Sequence, residues 1–231
     1  MDLSTLTLSA ALLLAACLAI LCFRQPNPSP PQTLKGDRIG MFVGLLSLIG
    51  CYTVFPLALY HIFLVIYFPS LQTGSEICPH PTNLTPALFT WSKETTASIL
   101  LIVFIGAPLR LSAYRGLGKD FTFKISTPDR LVTSGVYFYI QHPSYTGLLV
   151  VKYAAMLCFL RWDGVPACWM REGFMERWAG WVPVFWCADV FVTFGHLGLR
   201  MQDEEGMLRG RFGREWEVWH ARTKRLVPGV F

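Results

Sequence analysis

The stretch LTLSAALLLAACLAILCF, residues 6–23, contains no charged side chain. A helix needs about 20 residues to cross roughly 30 Å of hydrocarbon, so this stretch predicts a membrane-spanning helix. The absence of a basic segment before it disfavours a cleaved signal peptide; cleavage is the alternative, and it would leave four spans instead of five. Further apolar runs predict the other spans, at about residues 40–68, 97–113, 145–160 and 178–199.

The composition also indicates a membrane protein. Of the 231 residues, 53% are hydrophobic and only 15% are charged, which is more apolar than typical soluble domains. We therefore expect an all-α, polytopic integral membrane protein with about five transmembrane helices. Residues 1–95 would hold the first two helices and a loop, and residues 96–231 would form the functional core.

The distribution of charge predicts the orientation of the chain. Lys and Arg are concentrated near residues 24–38, between 110 and 130, and beyond 200, whereas residues 70–90 contain neither. By the positive-inside rule the three basic regions face the cytosol and residues 70–90 face the lumen. The net charge of +5 follows from these regions, so we assign it to orientation and to anionic lipid headgroups, with no nucleic-acid partner.

The seven cysteines include no CxxC pair, and most lie in predicted spans, so we expect no metal site. Cys78 and Cys168 fall in segments that this topology puts on the lumenal side, where they could form a disulfide. On the same side, Asn83, Leu84 and Thr85 form a glycosylation sequon.

The segment YIQHPSYTG, residues 139–147, joins a polar region to the fourth predicted span. Pro143 fits the first turn of a helix, with His142 at its N-terminal edge. Helix N-termini attract carboxylates, so backbone donors here, with His142 and the hydroxyls of Tyr137 and Tyr145, could hold the carboxylate of an amino-acid-like cofactor. The alternative is a helix cap within an interfacial belt of aromatic residues, and the residues alone leave both open.

Arg200 and Glu204 are four residues apart on one face of a predicted helix, with Glu205 on the adjoining face. One interpretation is an ordinary surface ion pair, which contributes little stability. In the other interpretation, the planar guanidinium of Arg200 binds a substrate carboxylate with two donors. Glu204 then binds a cationic or hydroxyl-bearing cofactor.

The residues that follow predict a charged amphipathic helix on the cytosolic side. Leu208, Phe212, Trp216 and Trp219 are spaced four, four and three residues apart and therefore share one face. This helix would lie along the membrane or cover the ends of the spans.

Two ionisable residues, Lys152 and Asp189, fall inside predicted spans. Charges in hydrocarbon are usually paired or functional. At about 1.5 Å per residue, both lie roughly 10 to 15 Å from the cytosolic ends of two antiparallel helices. We predict that they face each other and clamp the fourth and fifth spans together.

Several motifs, taken together and in this order, resemble the isoprenylcysteine carboxyl methyltransferase family. They are LVTSGVY (residues 131–137), HPSY (142–145), the group of Arg200, Glu204 and Glu205, and Phe212 with Gly213. The resemblance covers about residues 109–231. The chain departs from the family pattern at Gln141, where the family often has Arg, and at Trp216 and Trp219, where tyrosines are frequent.

The resemblance implies a multi-pass enzyme of the endoplasmic-reticulum membrane with its site facing the cytosol. It would use S-adenosylmethionine to methylate the C-terminal carboxylate of a prenylated cysteine, farnesyl or geranylgeranyl, on a protein or a small analogue held in membrane lipid. Arg200 falls on the substrate-contacting position, and Arg200 and Glu204 fall on the catalytic positions. The residues that fall on the family's cofactor pocket are Leu131, Val132, Tyr137, His142, Pro143, Ser144, Tyr145 and Glu204.

This chemistry suits the residues. A cysteine carboxylate is ionised at neutral pH, so its attack on a sulfonium methyl group needs no general base, and the protein must mainly align the reacting atoms. Three alternatives stay open: the same fold and cofactor with a small terpenoid or lipid acid or a phospholipid amine as acceptor; a sterol-reductase relative with a nicotinamide cofactor; and a non-catalytic membrane scaffold.

Overall fold

The computed structural model describes residues 2–28, 40–67 and 75–229, with the side chains of residues 40–46 excluded. Lys35 and Arg38, two of the predicted cytosolic charges, lie outside the described residues. The regular elements of the described chain are all helices, apart from one isolated parallel bridge between Ile140 and Lys224, which confirms the all-α prediction. Its helices are α1 Leu3–Phe23, α2 Gly40–Tyr67, α3 Lys93–Leu100, α4 Ala107–Leu117, α5 Pro143–Phe159, α6 Glu172–Ala179, α7 Val182–Phe212 and α8 Arg214–Arg222.

Helix α1 begins where Asp2 caps it, because the Asp2 carboxylate accepts a hydrogen bond from the Thr5 amide at 2.8 Å. It packs against α2, and Leu12, Ala15 and Ala19 are among its buried residues. Helix α2 continues through Pro56. The predicted first and second spans are therefore both helical.

Helices α3 and α4 are joined by the π-helical segment Leu101–Gly106 into one long helix, which begins at the Ser92 cap. The membrane-length helix Lys93–Asp120 is longer at both ends than the predicted span of residues 97–113. Four helices in the described chain are long and apolar enough to cross a membrane, and α5, with 17 residues, is shorter. The structure thus supports a polytopic membrane protein.

Helices α4 and α5 cross in unusually close contact. A Cβ atom added to Gly147 would lie 2.7 Å from the Arg110 amide nitrogen and 2.8 Å from the Gly106 carbonyl oxygen. A Cβ on Gly106 would likewise lie 2.7 Å from the Val151 side chain. Only glycine lets the two backbones approach this closely, so these two positions fix how Arg110 of α4 meets the start of α5.

Helix α7 extends past the predicted end of the fifth span, at residue 199, to Phe212. The chain then bends at Gly213, whose φ of 52° is readily adopted by glycine, and α8 follows. The predicted amphipathic helix is therefore divided between α7 and α8. The apolar face that was predicted nevertheless forms across the two helices. One cluster with Ala113 and Tyr137 contains its four residues, Leu208, Phe212, Trp216 and Trp219.

The clamp predicted between the fourth and fifth spans is confirmed. The Lys152 ammonium group donates to both carboxylate oxygens of Asp189, at 2.8 and 2.7 Å, and also to the Thr193 hydroxyl. This contact joins α5 to α7, which has no buried residue between Val182 and His196.

The loops at the opposite end of the helices are joined by a disulfide between Cys78 and Cys168, the pair that the predicted topology brought to one side. The amide of the sequon residue Asn83 donates to the carbonyl oxygens of Ala167 and Met170, at 3.3 and 2.7 Å. The Asn83 nitrogen that would carry a glycan thus holds the two loops together.

We predict that Gly147→Ala separates α4 from α5. Its methyl group would overlap the α4 backbone, which cannot move away as a flexible side chain can, so the melting temperature in detergent should fall markedly. Gly198→Ala on α7 is the matched control, because its Cβ would meet no atom within 4 Å. Equal melting temperatures for the two variants would show that the close crossing is not required.

Candidate functional site

The start of α5 is held by the C-terminal segment of the chain. The amides of Gln141 and His142 donate to the carbonyl oxygens of Lys224 and Arg225, at 2.8 and 2.9 Å. Pro143 occupies the first position of α5 and is buried, as its place in the sequence predicted. The cap residue His142 makes no side-chain cap bond, so its ring is available for other contacts.

The His142 ring lies between two carboxylates of α7. Its Nε2 atom is 3.3 Å from Glu205 Oε1, and its Nδ1 atom is 3.6 Å from Glu204 Oε2. The ring also stacks on Tyr145, with the centroids 5.4 Å apart. Glu205 is in turn held by Arg225, which donates two hydrogen bonds of 2.8 Å to its two oxygens. His142 therefore holds the Glu204 and Glu205 side chains in place.

This arrangement raises the pKa of His142 above its ordinary value of 6.5. Burial alone would lower the pKa, but the hydrogen bonds and negative charge of Glu204 and Glu205 outweigh burial. Protonation of the ring is thus favoured up to a higher pH than in an unperturbed histidine, and the protonated ring balances part of the charge of the two carboxylates.

Arg200 lies one turn before Glu204 on α7 and is 4% exposed. Its Nε atom donates to the Tyr145 hydroxyl at 3.0 Å and lies 3.5 Å from Glu204 Oε1. Its Nη2 atom donates to the Phe123 carbonyl, and the Tyr145 hydroxyl donates to Glu204. Burial and these partners exclude the surface ion pair that the sequence left open, because the guanidinium is fixed within the structure.

Arg110 of α4 is the residue that sequence reasoning missed, since its charge was assigned only to membrane orientation. It is 3% exposed, and it donates to the Cys22 carbonyl at 2.6 Å and to the Ser144 carbonyl and hydroxyl at 2.9 and 2.7 Å. Its guanidinium also lies 5.1 Å from the centre of the Tyr114 ring. Its hydrogen bonds are to carbonyl and hydroxyl oxygens, and no carboxylate of the described residues forms an ion pair with it.

The aromatic residues predicted beside the site form its wall. The indole of Trp219 donates to the Tyr137 carbonyl at 3.0 Å, and the Tyr137 hydroxyl donates to the Ala113 carbonyl at 3.4 Å. Burial raises the pKa of Tyr137, so its hydroxyl stays protonated. Leu131 and Val132 pack against the same cluster.

A cavity of about 460 Å³ connects these groups. Arg110 lines it together with the loop after α4, and α2 contributes residues such as Gly50 and Val54 that the sequence did not suggest. Of the predicted site residues, only Pro143 is absent from the lining. Those that line the cavity are Leu131, Val132, Tyr137, His142, Ser144, Tyr145, Arg200 and Glu204.

Fold and site together define a class: a polytopic helical membrane protein with a buried ionic site at one end of a largely apolar cavity. Residues 98–165 match the model of the isoprenylcysteine carboxyl methyltransferase (ICMT) family. This match confirms the resemblance that the sequence motifs suggested. It includes Arg110 and the His142 segment, and it ends before Arg200 and Glu204.

The curated relatives that the chain resembles carry names from the same family. The chain is 28% identical to a "Probable protein-S-isoprenylcysteine O-methyltransferase" of Oryza sativa subsp. japonica, over 57% of this chain and 60% of that protein. It is 29% identical to "Protein-S-isoprenylcysteine O-methyltransferase B" of Arabidopsis thaliana, over 57% and 58%. A Dictyostelium discoideum protein-S-isoprenylcysteine O-methyltransferase is 25% identical over 63% and 53%. The chain thus aligns with less than two thirds of each relative. No solved structure matches it significantly.

We predict that His142 stabilises the protein in a pH-dependent way. Because its folded pKa is raised, its contribution is fully present below about pH 6.5 and is lost as the pH rises through the folded value. His142→Asn should therefore lower the melting temperature most near about pH 6 and least near about pH 9. His80→Asn, in the loop at the opposite end, is the control. A difference from wild type that does not change with pH would show that His142 is neutral.

Proposed function

We propose that this protein transfers a methyl group from S-adenosylmethionine to the C-terminal carboxylate of a prenylated cysteine. The observation that carries the proposal is one cavity lined by two buried guanidinium groups, Arg110 and Arg200, and by the carboxylate of Glu204, at the end of an apolar groove. The family match and the names of the curated relatives support the same reaction.

The residues present fit the cofactor. The volume of about 460 Å³ is within the range of small-molecule sites. A buried guanidinium without a carboxylate partner suits the carboxylate of an amino-acid cofactor, and Arg110 is such a group in the described chain. The Glu204 carboxylate suits the positively charged part of the same cofactor. The predicted pocket residues Leu131, Val132 and Tyr137 would provide apolar and aromatic contacts.

The acceptor carboxylate is assigned to Arg200. The planar fork of this guanidinium matches a carboxylate, and its contacts with Tyr145 and Phe123 hold it in one orientation. We therefore give Arg200 a positioning role in the alignment of the nucleophile. Its neighbour Glu204 keeps the local charge balanced, so the acceptor is not bound too tightly to react.

S-adenosylmethionine would supply an electrophilic methyl group, and the protein would supply alignment and a dry environment. Tyr145 bridges Arg200 and Glu204, so it keeps the acceptor end and the cofactor end of the site in register. His142 and Arg225 hold the adjacent Glu205 in place. Alignment of this kind contributes to rate without any proton transfer by the protein.

The proposed location is the endoplasmic-reticulum membrane, with the site facing the cytosol and the disulfide-linked loops facing the lumen. In this proposal residues 96–231 form the methyltransferase core. Residues 1–95 complete it, since α1 supplies the Cys22 carbonyl to Arg110 and α2 lines the cavity. The acceptor reaches the site from the lipid, where its prenyl tail concentrates it.

The direct test is methyl transfer from labelled S-adenosylmethionine to N-acetyl-S-farnesylcysteine in membranes that contain the protein. Wild type should form a base-labile methyl ester. Glu204→Ala should lower kcat/KM by about 100-fold or more, the scale of removing one group that stabilises charge in an active site. Asp203→Ala, an acidic neighbour on α7 outside the cavity, is the matched control and should retain activity.

Three outcomes would count against the assignment. Equal loss in Asp203→Ala and Glu204→Ala would indicate damage to α7 and not to the site. Bound cofactor without ester formation would indicate another acceptor, such as a lipid acid or a phospholipid amine. A folded protein that binds no S-adenosylmethionine would support a membrane scaffold.

Arg110→Lys tests the assignment of Arg110 to the cofactor. The substitution keeps the positive charge but removes the planar guanidinium, whose hydrogen bonds join the Cys22 carbonyl to Ser144. We expect the Kd for S-adenosylmethionine to rise about tenfold or more, which isothermal titration of the purified protein measures. Arg115→Lys, on the exposed side of α4, is the control. An unchanged Kd in Arg110→Lys would remove Arg110 from the cofactor pocket.

A further inference from the structure

The segment that follows α4, residues 118–130, forms part of the cavity wall next to Arg200; we call it the rim segment. The Phe123 carbonyl accepts a hydrogen bond from Arg200 Nη2, so the next residue, Lys124, lies directly beside the group proposed to bind the acceptor. Lys124 and Arg130 both line the cavity, and both are exposed. The rim segment therefore places two positive charges where the cavity opens.

The ionic groups deeper in the cavity have partners or an assigned ligand. Lys152 pairs with Asp189, Arg200 lies 3.5 Å from Glu204, and Arg110 is assigned to the cofactor. The other charged residues of the described lining are Lys124, Arg130 and Asp120, of which only Asp120 is partly buried. In the part of the chain that the structure describes, none of these three takes part in an ion pair.

Two further charges of the rim segment cancel each other. Lys119 and Asp129 form an exposed ion pair at 2.7 Å, and neither lines the cavity. At the mouth of the cavity two cations thus stand against one carboxylate. Such an excess of positive charge attracts anionic groups and repels cationic ones.

The Cα atom of a prenylated cysteine carries three groups that the site has to accommodate. In the proposed function the carboxylate binds Arg200, and the prenyl tail extends into the apolar groove. The third group is the peptide chain that precedes the cysteine, and its polar backbone cannot follow the tail into hydrocarbon. This chain therefore leaves through the polar mouth of the cavity, past Lys124 and Arg130.

We propose that Lys124 and Arg130 select acceptors by the charge of the residues that precede the prenylated cysteine, an inference that rests on the proposed function. Acidic residues there complement the rim segment and are preferred, whereas lysines and arginines are repelled. Asp120 acts in the opposite direction and moderates the preference. Charges at the edge of an interface chiefly affect association, so the preference is expressed in kcat/KM and weakens with salt.

The test compares kcat/KM for two peptides that end in S-farnesylcysteine, with the protein in phosphatidylcholine nanodiscs and S-adenosylmethionine at saturation. One peptide has two glutamates before the cysteine, and the other has two lysines. Wild type should prefer the acidic peptide. Lys124→Glu/Arg130→Glu should lower the acidic-to-basic ratio by about tenfold or more. Arg115→Glu/Arg214→Glu makes the same change of charge at two exposed positions outside the cavity, and should leave the ratio unchanged.

Two further measurements cover the case in which the double variant fails to fold, which size-exclusion elution detects. Asp120→Asn removes the carboxylate that opposes the two cations, so the ratio should rise by about twofold or more. Wild type itself can be tested with salt. Raising the ionic strength from about 0.1 M to about 1 M shortens the screening length from about 10 Å to about 3 Å, and the ratio should fall.

The possible failures are distinguishable with N-acetyl-S-farnesylcysteine, which has no preceding residues. If folded wild type methylates neither this compound nor the peptides, the proposed function is overturned, and the inference with it. If it methylates all of them, but the ratio is the same in wild type, the double variant and Asp120→Asn, only the selection by charge is overturned. A preference of wild type for the basic peptide would also overturn the selection.

A basic surface could also contact anionic lipid headgroups. The position of Lys124 beside the Arg200 contact favours the peptide, because a surface for lipid would not need to line the cavity. Nanodiscs with added phosphatidylserine separate the two cases. If the double variant alters only the response to this lipid and not the peptide ratio, the rim segment binds the bilayer surface, and the proposed selection is wrong.

Discussion

The site depends on the burial of Arg110 among backbone carbonyls. Its guanidinium joins the end of α1, through the Cys22 carbonyl, to the start of α5, through Ser144, while its own backbone lies against Gly147. A buried charge is costly unless hydrogen bonds compensate for it, so the three helices are held at one relative position. The close glycine crossing of α4 and α5 makes this geometry possible, because a larger side chain would keep the guanidinium away from Ser144.

Around this centre the buried charges alternate in sign. Arg200, Glu204, His142, Glu205 and Arg225 form a chain in which each group contacts one of opposite charge. Such a chain reduces the cost of burying ions close to a membrane, and it also fixes their side-chain rotamers. Among the described residues Arg110 does not belong to this series of ion pairs, which is the reason for proposing it as the group that meets an anionic ligand.

Hydropathy predicted the helical segments well, since length and apolar content determine which parts of a chain cross a bilayer. Helical spacing also predicted the Lys152–Asp189 pair, because both residues are at similar depth on antiparallel helices. The role of Arg110 was not predictable in this way. A basic residue near the end of a span is the usual signal of cytosolic orientation, and only the fold shows that this one points inward.

The contacts of the C-terminal segment were also beyond sequence reasoning. Pairing of residues 224–226 with the start of α5 has no periodicity, and residues 140 and 224 are far apart in the chain. The interruption at Gly213 was similarly hidden, because Leu208 to Trp219 keep a regular apolar spacing on both sides of it. The candidate residues were identified by motif, and their mutual contacts were supplied by the tertiary structure.

The same C-terminal contacts determine when the site can form during synthesis. The amides of Gln141 and His142 and the hydroxyl of Thr146 are satisfied by the carbonyl oxygens of Lys224, Arg225 and Leu226. Domains generally fold from the N-terminal side as the chain emerges from the ribosome. A nascent chain can therefore have all its apolar helices in the bilayer while the start of α5 is still unpaired and Glu205 lacks Arg225. Membrane insertion and completion of the site are separate events in the life of this protein.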